Sequence, residues 1–366
     1  MSATFLGYRR ADGRAGVRNV VAILSAMDNT NPSAERIASM VSNTTAIATP
    51  FGRGQIGADF EVTLRTLAGI AGHPNVAAVL VLSLSLASGE ELARRIRETG
   101  KPVEVLGLQE SGSAMAMTME GVNIAARLVI EASELMREPI GLEELIVGVE
   151  CGGSDTTSGL ASNPAVGRFS DRLVDAGGTI VLSEPAEFMG AEHILAERAE
   201  NPDDAQRIFD MVRWFEDEAA RNGVDMRGTN PTPDNIEGGL TTLEEKSLGA
   251  IAKGGTRPIV EVIEYSERPT KHGLVVMNTP SAACESMTGL AAGSAQIIIF
   301  STGRGNAIGA PIAPTLKVTG NPNTAGSMGE NIDVDVSGIL TRGVSLDDAG
   351  EQVWSRVLKV ASGMLT

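Results

Sequence analysis

Three apolar runs, Val20–Leu24 (VVAIL), Thr45–Ala48 (TAIA) and Val76–Leu84 (VAAVLVLSL), are separated by helical patterns over Pro32–Ser42 and Asp59–Ala71. Runs of branched aliphatics without polar alternation mark strands buried on both faces, and strands joined through helices run parallel. Residues 20–84 therefore predict a βαβ arrangement. A helix over Glu90–Thr99, a strand at Val103–Leu106 and a helical stretch from Ser113 to Arg137 continue it. Pro139 and Gly141 are read as stopping that helix, and they divide the chain into an N-terminal α/β domain (1–140) and a C-terminal α/β domain (141–366). The second half repeats the pattern with strands at Leu145–Val149, Thr179–Ser183, Ile259–Ile263, Leu274–Met277, Gln296–Phe300 and Thr315–Val318, and helices over Asp204–Arg221 and Leu346–Ala361. The expected class is α/β, with parallel-sheet βαβ domains carrying helices on both faces.

The chain has 366 residues, of which 42% are hydrophobic and only two are Cys, which excludes disorder and a disulfide scaffold. Its 42 glycines reserve many backbone positions for tight turns or close ligand approach. A formal charge of −16 repels nucleic acid and anionic membrane surfaces, so neither is expected as a partner. No apolar run approaches the roughly 20 residues that cross a bilayer, and no signal segment opens the chain, so a cytoplasmic protein is expected. Cys151 and Cys284 are taken as reduced thiols.

Three glycine-rich turns follow predicted strands. Gly52-Arg53-Gly54-Gln55-Ile56-Gly57 has the form GxGxxG, but the next strand ends in Leu82-Ser83-Leu84-Ser85-Leu86 rather than in an acid for the ribose, so neither NAD nor FAD is expected. Anion binding by its amides and a purely structural turn both remain open. Cys151-Gly152-Gly153-Ser154-Asp155 lies at the carboxyl end of its strand, where parallel sheets place ligands. Residues 152–159 are all Gly, Ser, Thr or Asp; the bland alternative is a polar helix cap. Ser301-Thr302-Gly303-Arg304-Gly305-Asn306 repeats the arrangement, and Arg304 offers a bidentate carboxylate clamp or a solvent-facing charge. The polar stretch from Gly223 to Gly239 lacks apolar periodicity and reads as a site loop. The histidines, His73, His193 and His272, are scattered, which leaves oxygen ligation by Asp155, Glu184 and Glu237 as the metal set the chain offers.

Read together, these segments resemble the altronate/galactarate dehydratase family, in its large catalytic portion, and the similar large subunit of sulfolactate sulfo-lyase. The resemblance begins at Gly7-Tyr8-Arg9-Arg10-Ala11-Asp12-Gly13-Arg14-Ala15-Gly16-Val17-Arg18-Asn19 and is strongest at Glu150–Gly159 with Asn163-Pro164-Ala165. It continues through 230–247, Thr288-Gly289 and 302–306. It implies a lyase that removes water from a sugar-derived hydroxy acid to give a 2-keto-3-deoxy acid, or one that expels sulfite. It also implies a divalent metal (Fe2+, Mn2+ or Mg2+) and a small SAF-type domain, here expected as a separate subunit beside a homo-oligomer of this chain.

The sequence departs from that family where cysteines are expected. Met27–Asn31 holds none, the expected His-x-x-Gly-Cys-Gly reads Thr49-Pro50-Phe51-Gly52-Arg53-Gly54, and the expected Gly-Cys-Glu is replaced around Ala87–Glu90. Three readings follow: a different substrate, a metal held by oxygen, or a non-catalytic binding subunit. If the chain is a lyase, Glu184, Glu187 and His193 are the candidate bases, and Asp155 orients a hydroxyl or holds metal. Arg53, Gly54, Cys151, Gly152, Gly153, Ser154, Thr302, Arg304 and Asn306 are the candidate binding residues for the hydroxy-acid anion.

Overall fold

The structure is a computed structural model that describes residues 4–52 and 54–366. It opens with an antiparallel pair, Thr4–Arg9 (β1) and Ala15–Gly16 (β2), ahead of the first apolar run. Val20–Ser25 (β3), Thr44–Ile47 (β4), Val76–Ser83 (β5) and Val103–Gly107 (β6) then form a four-stranded parallel sheet in the order β4-β3-β5-β6. All eight residues of β5 are buried, as the unbroken apolar run requires of a strand covered on both faces. One face carries the helices Asn31–Met40 and Ala114–Ser133, which bury Ala34, Ile37, Met117 and Leu128 against Ile23 and Leu80. The other carries Gly57–Ala71 and Leu86–Arg97 against Leu24 and Val81.

The helix read as reaching Arg137 ends at Ser133. Pro139, expected as a helix stop, lies in a strand, Glu138–Gly141 (β7), that pairs antiparallel with β1. Because β7 is the edge of the order β2-β1-β7, its proline loses no ladder bond on the open side. This small sheet stitches the start of the chain to the segment between the two larger sheets.

The second large sheet has seven parallel strands: Ile146–Cys151 (β8), Thr179–Leu182 (β9), Ile259–Ile263 (β10), Gly273–Met277 (β11), Ile297–Ser301 (β12), Thr315–Thr319 (β13) and Val334–Asp335 (β14). Their order is β10-β11-β9-β8-β12-β13-β14. The helices Asn163–Asp175, Pro202–Arg221 and Leu346–Ala361 cover one face, and Ala283–Ala292 covers the other. The chain is thus α/β with helices on both faces of parallel sheets. The helices Gly57–Ala71 and Ala283–Ala292 share one apolar layer, in which Leu64, Leu67 and Ile70 meet Met287 and Leu290.

The chain leaves β8 toward β9 and leaves β12 toward β13, in opposite directions across the sheet. Such a reversal opens a crevice at the carboxyl ends of the two strands, where side chains and ligands can enter. Among the described residues no helix is long and apolar enough to cross a membrane.

Gly69 sets the approach of the two shared helices, since a Cβ there would lie 2.4 Å from the Ala292 carbonyl oxygen. Gly69→Val is therefore expected to push the helices apart and destabilise the protein by about 1–3 kcal/mol, the usual range for overpacking, read as a lowered denaturation midpoint.

Candidate functional site

The turns after β8 and β12 dovetail across the crevice. The Gly152 amide donates to the Ser301 carbonyl at 3.1 Å, and the Arg304 amide donates to the Gly153 carbonyl at 2.9 Å. Gly153 turns the chain at φ +62°, a left-handed conformation that favours glycine. With the Gly152 amide engaged, Gly153 and Ser154 are the amides of this turn without a partner among the described residues. Gly153 faces solvent and Ser154 is half-buried.

Asp155 has three structural tasks. Its Oδ1 accepts from the Ser158 amide at 3.0 Å and the Thr157 hydroxyl at 2.7 Å, capping the helical segment that follows. Its Oδ2 accepts from Asn321 Nδ2 at 2.7 Å, tying the turn after β8 to the one after β13. It also crowds Gly303, where a Cβ would sit 2.2 Å from the carboxylate carbon. Asn235 Nδ2 donates to the Ser154 carbonyl at 3.0 Å, and the Thr156 amide to the Gly238 carbonyl at 3.1 Å. The stretch read as a site loop thus roofs this turn, folded into two short helices, Met226–Thr229 and Pro233–Glu237.

Directly below lies a buried charged cluster. Lys253 is fully enclosed, and its Nζ lies 2.9 Å from Glu184 Oε2 and 3.2 Å from Cys151 Sγ. Glu184 Oε2 also accepts from the Cys151 amide at 2.9 Å. The Glu184 backbone sits at φ 68°, ψ 59°, a strained conformation for a residue with a side chain, and its amide is held by the Thr279 hydroxyl at 2.9 Å. Glu150 is the second buried carboxyl: its Oε2 is bonded by Ser183 Oγ at 2.7 Å and Ser286 Oγ at 2.5 Å, and Oε1 has no hydrogen-bond partner among the described residues.

One ammonium cannot hold two buried carboxylates equally. Burial first, and then the Glu184 charge, push the Glu150 carboxyl well above its ordinary value. Glu184 is the carboxyl that meets the ammonium and a backbone amide. Burial alone would lower Lys253, but its acidic surroundings, with Glu184 Oε2 in direct contact, outweigh it and leave the ammonium raised. Burial and Glu184 push the Cys151 thiol up, so it is neutral and not a thiolate nucleophile.

The remaining sequence-derived candidates lie elsewhere or are engaged. Glu187 lies 3.0 Å from Lys246 Nζ, and burial raises its carboxyl despite that partner. His193 is exposed on the outer helix Glu192–Ala196. Arg304 Nη1 donates to the Asp234 carbonyl and to Glu237, both at 2.8 Å, in a solvent-exposed pair that is weak enough to exchange for another anion. The Thr302 hydroxyl accepts from the Gly305 amide, and Asn306 Oδ1 accepts from the Ile308 amide. Gly54 is exposed at φ 99° on the earlier turn, and Arg53 lies outside the described residues.

The metal set of Asp155, Glu184 and Glu237 does not assemble. Asp155 is a cap, Glu184 belongs to Lys253, and Glu237 faces solvent beside Arg304. Among the described residues no three His, Cys, Asp or Glu side chains converge as ligands. The donors present here therefore do not fit a divalent cation.

A separate cleft of about 670 Å³ opens between the two large sheets, starting at Ile308 just past the turn after β12. Leu67, Ile70, Met287 and Ile312 line it, the exposed thiol Cys284 stands at one side, and among the described residues its charged lining, Asp59 and Glu285, is acidic. Its size would make it the first choice for a ligand. Its apolar walls and negative charges suit a polyhydroxy acid poorly, whereas the glycine turns present free amides.

Sequence reasoning missed Lys253, Glu150, Ser286 and Thr279. The signal available for Lys253 was a lysine in Ala252-Lys253-Gly254-Gly255, where small neighbours leave the side chain no exposed helix face; its partner is 102 positions away for Cys151.

Comparison with known proteins agrees with this architecture. A family model described as D-galactarate/altronate dehydratase, C-terminal, matches residues 142–366. A second, described as D-galactarate dehydratase/altronate hydrolase, second domain, matches residues 7–133. The chain is 43% identical to the (2R)-sulfolactate sulfo-lyase subunit beta of Chromohalobacter salexigens, over 99% of this chain and 94% of that protein. It is 36% identical to altronate dehydratase of Bacillus subtilis, over 99% of this chain and 74% of the relative. It is 31% identical to the L-threo-forming galactarate dehydratase of Escherichia coli, over 98% and 73%.

Two outcomes are expected from the buried cluster. Lys253→Met leaves the buried Glu184 carboxyl without its ammonium and should cost about 3–5 kcal/mol, with part regained in Lys253→Met/Glu184→Gln; equal loss in both variants would show that the pair is not coupled. Because the fold raises the Glu150 carboxyl, its contribution is present below the ordinary carboxyl value and is lost as pH rises. Melting of the wild type should therefore fall relative to Glu150→Gln as pH rises above the ordinary carboxyl range.

Proposed function

This chain belongs to the D-galactarate/altronate dehydratase family, and from that premise we propose that it is a lyase acting on a 2-hydroxy carboxylate. The observation that carries the reading is the pair of unpartnered amides at Gly153 and Ser154 in the turn whose Cys151 amide holds Glu184, a buried carboxyl paired with Lys253.

The substrate carboxylate binds the Gly153 and Ser154 amides, and Arg304 exchanges Glu237 for it. Those donors stabilise the charge that develops when the C2 proton is removed. Glu184 takes that proton, with Lys253 paired to it and Cys151 N–H fixing its orientation. The C2–H electron pair becomes the C2=C3 double bond, and the group on C3 leaves with its bonding pair. The resulting enol returns to the 2-keto acid by protonation at C3. No step is routed through a metal, since the donor set does not fit one.

For the leaving group, 43% identity across nearly the whole of a sulfo-lyase subunit favours sulfite, and with it (2R)-sulfolactate as substrate. Water leaving a sugar acid is the second reading, favoured by the descriptions of both family models and by the dehydratase relatives. The same sulfo-lyase relative is named as a subunit, so we extend to this chain a second, smaller subunit, with the SAF-type domain as the candidate.

The test is turnover on (2R)-sulfolactate, altronate and galactarate, by the chain alone and with the small subunit. Sulfite release from sulfolactate is the expected result, and 2-keto-3-deoxy acid from a sugar acid with no sulfite release would select the second reading. Glu184→Gln should lower kcat by about 10²-fold or more with the fold retained, as loss of a general base does. Unchanged kcat in that variant would remove Glu184 as base.

A further inference from the structure

The proposed function makes no use of the first motif of the sequence, Gly7–Asn19, yet it builds a dense cationic seam where the β1–β2 arm meets both large sheets. Arg10 donates through Nε to the Pro74 carbonyl at 2.6 Å, through Nη1 to Asn19 Oδ1 at 2.7 Å and through Nη2 to the Arg18 carbonyl at 2.7 Å. All three acceptors are neutral. Arg14 donates to the Gly72 carbonyl at 2.7 Å and to Ser294 Oγ at 3.2 Å, spanning the two halves. Gly100 packs on this arm, where a Cβ would meet Ala11 at 2.9 Å, and so delivers Lys101 beside it.

Lys101 is only 7% exposed, and its Nζ has no hydrogen-bond partner among the described residues. Arg268, on the loop between β10 and β11, is close enough to feel the charges of Arg14 and Asp12, and the Glu267 carbonyl before it would meet a Cβ at Gly293, the residue before Ser294. Asp12 is the carboxylate of the group, and it is committed to Arg14, with Nη2 at 2.6 Å and Nε at 2.7 Å. His73, fully buried and pushed down to about 3 by burial, is neutral and adds no charge. Four cations thus face one carboxylate that is already engaged. A buried ammonium without a counter-charge costs several kcal/mol, and in its absence burial and the neighbouring guanidiniums drag Lys101 down to about 7.

We propose that the seam around Lys101, Arg10, Arg14 and Arg268 is a binding site for a small oxyanion of the phosphate or sulfate type, separate from the glycine-turn site. The anion satisfies the Lys101 ammonium and clamps the β1–β2 arm to both halves of the chain. A planar guanidinium and a mobile ammonium are the donors such anions take.

The test is thermal melting and calorimetric titration of the full chain with sodium phosphate and, separately, sodium sulfate, each against sodium chloride at equal ionic strength. Both salts stabilise proteins weakly by exclusion, so the saturable part is the reading. A saturable rise in Tm with either oxyanion, weakened about tenfold or more in Lys101→Met and in Arg268→Gln, is the expected result. Arg268 sits on an exposed loop, so Arg268→Gln keeps the test open if Lys101→Met does not fold. Equal response in wild type and Arg268→Gln, or no saturable response beyond chloride, overturns the site.

Discussion

The contact between Lys253 and Glu184 is the constraint around which the site is built. Enclosing an ammonium is unfavourable unless a carboxylate meets it, so the segment after the helix Leu243–Ala252 must approach the strand ends of β8 and β9 together. That requirement holds Glu184 in a left-handed backbone conformation that a residue with a side chain otherwise avoids. It also distinguishes two neighbouring carboxyls, Glu184 paired with the ammonium and Glu150 raised by burial, because one ammonium serves the nearer of them. Two carboxyls in such different surroundings at one strand end are a usual preparation for acid–base chemistry.

Above this cluster the turns contribute amides rather than side chains. Gly152 is bonded to Ser301 and Asp155 is a cap, so the turn after β8 is rigid while Gly153 and Ser154 stay open. Rigidity matters because donors that already point at a developing charge need not reorganise. The neighbouring apolar cleft contributes a different property. Its helices, drawn together at Gly69, fuse the two sheets into one body and so fix the position of the turns relative to the rest.

Much of this architecture is legible in the chain. The runs at 20–25, 76–83 and 297–301 are apolar without alternation, and each is a buried parallel strand. Strands β1 and β7 were not legible, since Phe5 pairs with Ile140 and neither segment carries a pattern by itself. Pro139 misled for the same reason: a proline reads as a helix stop until a partner strand makes it an edge. The glycine turns were visible as candidate sites because glycine and hydroxyl residues crowd after a strand. Which of their amides stay free was not, because Gly152 meets Ser301 only in the folded sheet.

By itself the sequence determined the parallel α/β class and the ligand-facing character of the strand ends, because apolar runs and glycine clusters act over a few residues. Tertiary structure alone decided that Lys253 pairs with Glu184, that Asp155 caps a helix and that Lys101 lies buried without a counter-charge. Charge pairing and desolvation depend on distances between segments a hundred residues apart, and those distances exist only once the sheets have closed.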